Sequence, residues 1–302
     1  MGHNHRHHAH GDRKLTWAIA INLALTVAQI IGGVLSGSIA LIADAIHNFA
    51  DAGSLLIALL ARRISRRPTD ADMTFGYARA EVVAAVINYT TLIVIGFYLV
   101  AEAVMRLINP PEVDGWIMVV VAGIALVIDL GTAALTFSMS KDSVNIRAAF
   151  LHNIADALGS VAVIVAGGAV LLWDARLVDP LVTLGIAGYI LWMAFSEIAP
   201  VIRILMLGSP PQLDIDAVIE VMEQVPDVQE VHHLHVWQMS KHRASLEAHV
   251  VVAEGCWDDV STIKAALRQQ LAIRFAILHT TLEMEKSAET CVDAARIGSA
   301  TP

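Results

Sequence analysis

Two runs in this chain of 302 residues, His47-Asn48-Phe49-Ala50-Asp51 and His152-Asn153-Ile154-Ala155-Asp156, each place a histidine four residues before an aspartate. On a helix, residues at that spacing share one face a turn apart, so each run offers an imidazole and a carboxylate in the same direction. Two such faces turned toward each other supply two nitrogens and two oxygens. That donor set suits a tetrahedral divalent ion of intermediate softness, zinc first and cobalt or cadmium next. Magnesium and calcium require more oxygens. Both runs lie inside apolar stretches, and an ionisable group at membrane depth marks an ion or proton pathway, because burying each one costs at least about 2.5 kcal/mol.

The elements that must position these residues are membrane spans. Hydrophobic residues make up 56% of the chain, above the roughly 45–50% usual for soluble domains. Six apolar spans are expected at 15–36, 39–61, 82–104, 115–138, 146–173 and 179–202, each near the ~20 residues that cross a bilayer. Together they make a transmembrane domain over 15–208. Hydropathy then falls, and residues 209–286 are enough for a small soluble domain with its own core. A polar segment, 1–14, carries His3, His5, His7, His8 and His10 and reads as a metal-binding, disordered tail. Residues 287–302 read as a disordered C-terminal tail.

Basic residues set the orientation. Arg6, Arg13 and Lys14 precede the first span, Arg62, Arg63, Arg66, Arg67 and Arg79 crowd the second connection, and Lys141 and Arg147 mark the fourth. Arg106 and Arg176 fall on the other side. By the positive-inside rule both termini of this multi-pass chain face the cytoplasm. The first apolar run is a full span without a small-residue cleavage site, so no cleavable signal is expected. Cys256 and Cys291 then lie in a reducing compartment without the paired spacing of a cysteine zinc site, and neither is assigned a role. A net charge of −9 argues against nucleic acid as a partner.

At 1.5 Å per residue His47 and Asp51 lie roughly 12 to 18 Å deep in span two. Span five runs the opposite way and brings His152 and Asp156 to a similar depth. Small residues around the motifs, Ala50, Ala52, Gly53 and Ser54 in one and Ala155, Ala157, Gly159 and Ser160 in the other, permit close packing. Asp44 shares the stripe of His47 and Asp51 and lines the outward half of a pathway in this reading. Asn22, Gln29 and Asn88 read as cross-helix hydrogen bonders, and Asp129 is open between the two roles. Four protein ligands leave no open coordination position and no catalytic base is evident, so the chain does not read as an enzyme. Metal binding displaces protons from the ligands, which lets one site carry metal one way and protons the other. His47 and His152 suit that exchange, since imidazole titrates near 6.5.

Residues 209–286 predict an α+β unit in the order helix, strand, strand, helix, strand, over 213–225, 228–239, 244–253, 258–275 and 276–285. It holds His232, His233, His235, His242, His249 and His279. Alternation in the last strand puts His279, Thr281, Glu283 and Glu285 on one face, with Leu278, Leu282 and Met284 largely on the other. With His249 on the neighbouring strand, that face is a second candidate zinc site.

The glycine-to-aspartate stretch 33–51, the run Phe75-Gly76-Tyr77-Ala78-Arg79-Ala80-Glu81, the second His-x-x-x-Asp and Asp179-Pro180 together resemble the cation diffusion facilitator family of zinc/proton antiporters. The resemblance covers about residues 12–286. It implies a homodimer in the bilayer, the inner membrane of a bacterium, that moves metal out of the cytoplasm in exchange for protons. His47, Asp51, His152 and Asp156 would then be the transport site. The histidine in span two resembles the zinc-preferring branch. The resemblance also implies a metallochaperone-like αββαβ cytoplasmic domain with a regulatory zinc on His232, His249, His279 and Glu285, with His233 and Glu283 as alternates. Two departures stand out. The second connection, 65–75, offers Asp70 and Asp72 but no histidine, so no strong metal site is expected there, and the fourth connection is too short for a His-rich insert.

Overall fold

The computed structural model describes residues 23–137, 144–240, 243–291 and 295–298. The N-terminal histidines, Asn22, Lys141 and His242 lie outside the described residues, as do the side chains of Asp51, Arg147 and His152. The chain divides into two compact units, one of Met1–Leu60 with Ile87–Ile198 and one of Ala61–Val86 with Ala199–Pro302.

The first unit is a helical bundle. Helix α1 (Leu23–Ser36) is described only from its later part. It is followed by α2 (Ile39–Ser65), α3 (Ala80–Ile108), α4 (Gly115–Phe137), α5 (Val144–Trp173) and α6 (Val178–Leu205). Among the described residues, five of these are long and apolar enough to cross a membrane. Helix α2 is the hub. Its Ile39 and Ala43 pack with Leu92 and Leu99 of α3 and Ala187, Ile190 and Ala194 of α6. Its Ala40 and Leu41 pack with Met118 and Ala122 of α4 and Val163 and Ala166 of α5. The interior is thus rich in alanine while large residues such as Val94, Tyr98, Val127 and Trp192 face outward, as expected where helices gain by close backbone approach and lipid covers the rest.

Where α4 and α5 meet, a Cβ on Gly167 would lie 3.0 Å from the Gly115 carbonyl oxygen and 2.9 Å from Met118 Cβ, so glycine is what the contact allows. The N-terminus of α2 is capped from another helix. The Asp179 carboxylate of α6, fully buried, accepts from the amides of Ile39 (3.0 Å) and Ala40 (3.2 Å) and from the Ser38 hydroxyl (2.5 Å). Two of the orphan donors of the first turn are satisfied in this way, by an acceptor that is itself buried. The turn before it passes through Gly37 at φ +72°, a left-handed conformation natural to glycine.

In the second unit, the connection between α2 and α3 is organised by Asp70. Its carboxylate accepts from the amides of Asp72 (3.1 Å) and Met73 (2.8 Å) and from the Tyr77 hydroxyl (2.6 Å). The Tyr77 bond, followed by the backbone bond from Met73, holds the Asp70 carboxyl below its ordinary range. The two acidic residues of this connection therefore serve a turn, Asp70 as its acceptor.

The rest of the unit has the predicted α+β order: α7 (Ile215–Glu223), β1 (Val228–Ser240), β2 (Arg243–Val252), α8 (Val260–Phe275) and β3 (His279–Lys286). The sheet order is β1-β2-β3, with β1 and β2 antiparallel and β2 and β3 parallel. One sheet face packs Val231, Leu246, Val250 and Leu282 against Val218, Ile219 and Met222 of α7 and Ile263, Leu267 and Leu271 of α8. Asp214 caps α7 by accepting from the amides of Asp216 and Ala217. Leu278 lies before β3 and is exposed, so the inward set of that strand begins at Leu282.

The reading of 287–302 as a disordered tail is corrected at the described positions. Residues Ser287–Glu289 form a 3-10 turn. Beyond it the chain runs along the outer edge of β1, where the His233 amide donates to Ala295 O (2.8 Å) and the Gly298 amide to Leu234 O (3.1 Å). An open strand edge has unmet donors and acceptors, and this segment meets some of them.

Candidate metal centres

In the bundle, α2 presents His47 and α5 presents Asp156, both buried at 5% and 8% exposure. His47 Nε2 stands 3.4 Å from Asp156 Oδ1. The imidazole ring meets the edge of Tyr189 of α6, with centroids 6.1 Å apart. Asp51 follows His47 by one turn of α2, and His152 precedes Asp156 by one turn of α5; the side chains of both lie outside the described residues. The structure therefore brings together one member of each predicted pair, from the two helices that the repeated motif selects. Around them lies a buried polar set that the motif did not include. Ser160 donates to Asp129 (3.1 Å), and Gln29 of α1 donates to Asp44 (2.6 Å) and accepts from Asn48 (3.1 Å). Asn88 accepts from Ser54 (2.7 Å), a cross-helix bond of the expected kind.

The second centre lies on the domain's sheet. His232 of β1 and His249 of β2 are register partners, and Glu285 of β3 pairs with Val251, two residues along. Donor atoms of His232, His249, Glu285 and Cys291 all lie within 4.8 Å of one another. His249 Nδ1 is 2.5 Å from Glu285 Oε1, which also accepts from the Cys291 thiol at 3.3 Å. His232 is fully buried, and its Nε2 lies 3.3 Å from Glu285 Oε2, out of line for a hydrogen bond. Neither of its ring nitrogens has a hydrogen-bond partner among the described residues. A buried imidazole without partners costs free energy unless something else takes its lone pair. A zinc ion does that, and two nitrogens, a carboxylate and a thiolate are among its preferred ligands.

The electrostatics agree. Burial pushes the Glu285 carboxyl up, but the bonds from His249 and Cys291 and the charges of His232 and His249 outweigh it and hold the group below its ordinary range. The bond to Glu285, then burial and the charges of Glu285 and Glu283, push the Cys291 thiol up. An ion at the centre would have to displace that proton.

Two sequence expectations change here. His279 is not in the cluster. It pairs with Ser245 at the opposite end of β3, and six residues at about 3.3 Å each separate it from Glu285 by roughly 20 Å. Cys291, assigned no role from the sequence, fills the vacated position because the turn after β3 folds the chain back. Of the alternates, Glu283 lies 3.4 Å from the other ring nitrogen of His249, Nε2. His233 sits in a bulge at φ +51°, its ring 5.0 Å from that of His249. Neither belongs to the four-atom cluster.

Comparison with known proteins places both units. A model of the cation efflux transmembrane domain matches residues 15–206, and one of the cation efflux protein cytoplasmic domain matches residues 210–287. The metal cation efflux system protein CzcD of Cupriavidus metallidurans is 33% identical over 100% of this chain and 95% of its own length. The zinc transporter ZitB of Pectobacterium atrosepticum is 36% identical over 94% of this chain and 89% of its own. A cadmium, cobalt and zinc/H(+)-K(+) antiporter of Bacillus subtilis is 35% identical over 95% and 93%.

Proposed function

Since the chain belongs to the cation efflux family, a family of multi-pass metal transporters, we propose that it exports zinc from the cytoplasm in exchange for protons, with cadmium and cobalt as further substrates. The observation that carries this reading is the meeting of His47 and Asp156 from α2 and α5, buried and 3.4 Å apart within an apolar bundle. We assign Asp51 and His152 to the same site because each lies one helical turn from a residue of that pair. The ion is the cargo. Two carboxylates match its charge, and two imidazoles bind it only in their neutral form, so loading zinc expels protons and a proton-rich exterior drives its release.

In this reading the chain works as a homodimer in a bacterial inner membrane with both termini in the cytoplasm, as the arginine-rich connections favour. The sheet-borne cluster of His232, His249, Glu285 and Cys291 binds a zinc ion that is not transported and that tunes the transporter to cytoplasmic zinc. With four ligands closing the transport site, nothing on it supports a reaction beyond transport.

Zinc flux into proteoliposomes under an imposed pH gradient tests the reading. The parent should transport zinc in proportion to the gradient, and Asp156→Ala should insert normally yet lose nearly all flux. Near-parental flux in that variant would remove the site.

A further inference from the structure

Gln29 is fully buried in α1, and it is bonded to the two α2 residues that bracket His47. Its Nε2 donates to Asp44 Oδ2 at 2.6 Å and its Oε1 accepts from Asn48 Nδ2 at 3.1 Å, and both partners are 3% exposed. A carboxylate only accepts, so the amide nitrogen must face Asp44 and the amide oxygen is left for Asn48. The clasp therefore has one sense. We propose that Gln29 is a positioning residue for the transport site: it fixes the rotation of α2 about its axis and with it the aim of the His47 imidazole at Asp156.

Helix geometry shows why this spot has leverage. At about 100° per residue, Asp44 and Asn48 lie only ~40° apart around α2, so one side chain reaches both, and His47 lies ~60° to one side of Asp44. Rotating α2 by ~20° would carry a ring nitrogen about 6 Å from the axis through roughly 2 Å. Metal–ligand distances tolerate about 0.2 Å. Adhesion between helices alone would not need both bonds to bracket the ligand's own turn.

A second restraint acts in the same sense. Asp44 Oδ1 faces α5 at Gly159, where a Cβ would stand 3.3 Å from it. Gly159 lies three residues beyond Asp156, so α5 approaches α2 closely just where Asp44 is held. Gln29, Asp44 and Asn48 are all buried, so breaking the two amide bonds would leave buried polar groups unpaired.

This inference rests on His47 and Asp156 being transport ligands. The test is zinc flux against zinc concentration for the full chain in proteoliposomes, with the parent, Asp156→Ala, Gln29→Glu, Gln29→Met, Asp44→Asn and the double variant Gln29→Glu/Asp44→Asn. Gln29→Glu sets two carboxylates face to face and should raise the apparent KM for zinc roughly tenfold, with maximal flux far less changed, as for other groups that orient metal ligands. Gln29→Met keeps the shape without either bond and should raise KM in the same way. In the Asp44→Asn background the same Gln29→Glu change should have little further effect, because the new amide at position 44 can donate to the new carboxylate. A parental KM in Gln29→Met, or a full Gln29→Glu penalty in the Asp44→Asn background, would overturn the inference. Should Gln29→Glu fail to fold, Gln29→Met and the double variant decide the matter. Normal flux in Asp156→Ala would instead remove the site reading itself and leave these comparisons to stand apart.

Discussion

His232 and Cys291 mark the limits of reading a site residue by residue. His232 enters through the family resemblance, with His233 as an alternate, and the structure places the His232 ring in the cluster. His279 looks equally suitable, yet parallel pairing of β2 with β3 sets it against Ser245, far from His249. Spacing along one strand already keeps His279 and Glu285, roughly 20 Å apart, from sharing an ion, and the register then decides that Glu285 is the one beside His249. Cys291 is invisible for a related reason, since its approach depends on the turn at Ser287–Glu289 folding the chain back on Glu285.

The ligand exchange is testable in the full chain by zinc-induced gain in Tm. Cys291→Ala or His232→Ala should remove most of the gain seen in the parent, since mass-action stabilisation tracks affinity, whereas His279→Ala should retain it. Retention in Cys291→Ala with loss in His279→Ala would reverse the assignment. The same centre should bind zinc more weakly as pH falls from about 7.5 to 6, because the imidazoles must be neutral and the thiol, whose pKa is raised without metal, must give up its proton. A pH-independent zinc affinity at this centre would contradict the thiolate ligand.

At the scale of elements, hydropathy locates the spans well. The five long helices overlap the expected segments and differ mainly at their ends, where polar turns extend α2, α3 and α6 beyond the apolar core. What hydropathy does not contain is which helices touch. The small residues around the two motifs point to the α2–α5 pairing, but the trans cap on α2 needs the fold. Asp179 opens α6, and its carboxylate closes the first turn of α2 from 140 residues away in sequence. Asp179→Ala strips acceptors from two amides and a hydroxyl at a fully buried site, which should cost at least the ~1–2 kcal/mol of a lost N-cap. A lower Tm by circular dichroism in detergent, with a smaller drop for Asp179→Asn, checks it. An unchanged Tm in Asp179→Ala would show that the cap contributes nothing. The α4–α5 contact gives a second test at this scale. Gly167→Leu would force Met118 and the Gly115 carbonyl apart and should impair folding or insertion, while the same change at Gly168, where a Cβ would meet no atom within 4 Å, should be tolerated. Equal behaviour of the two variants would argue that α4 and α5 are not so closely packed.

For the whole molecule, the separation into two units means that the proposed cargo site and the proposed sheet-borne centre can be dissected by deletion. The bundle residues that hold His47 and Asp156 draw their core from α2 to α6, and the sheet domain draws its own from α7, α8 and the three strands. At this scale the segment after β3 departs from what its composition suggests. A polar stretch without hydrophobic periodicity reads as disorder, but the edge of β1 and the ligand pocket supply the order that the segment's own composition lacks. Deleting residues 287–302 should therefore leave a protein that inserts and still moves zinc under a pH gradient, because no residue of the proposed cargo site is removed. It should nonetheless lose most zinc-induced stabilisation, having lost Cys291. The zinc dependence of its flux should shift while the maximal flux under saturating zinc stays within about a factor of two, the pattern expected when a modulating ligand is lost and transition-state interactions are kept. If the truncated chain is well folded and transports nothing, the sheet-borne centre is part of the transport cycle and not a modulator. If its zinc response matches the parent in both stability and flux, the tail plays no part in holding the ion.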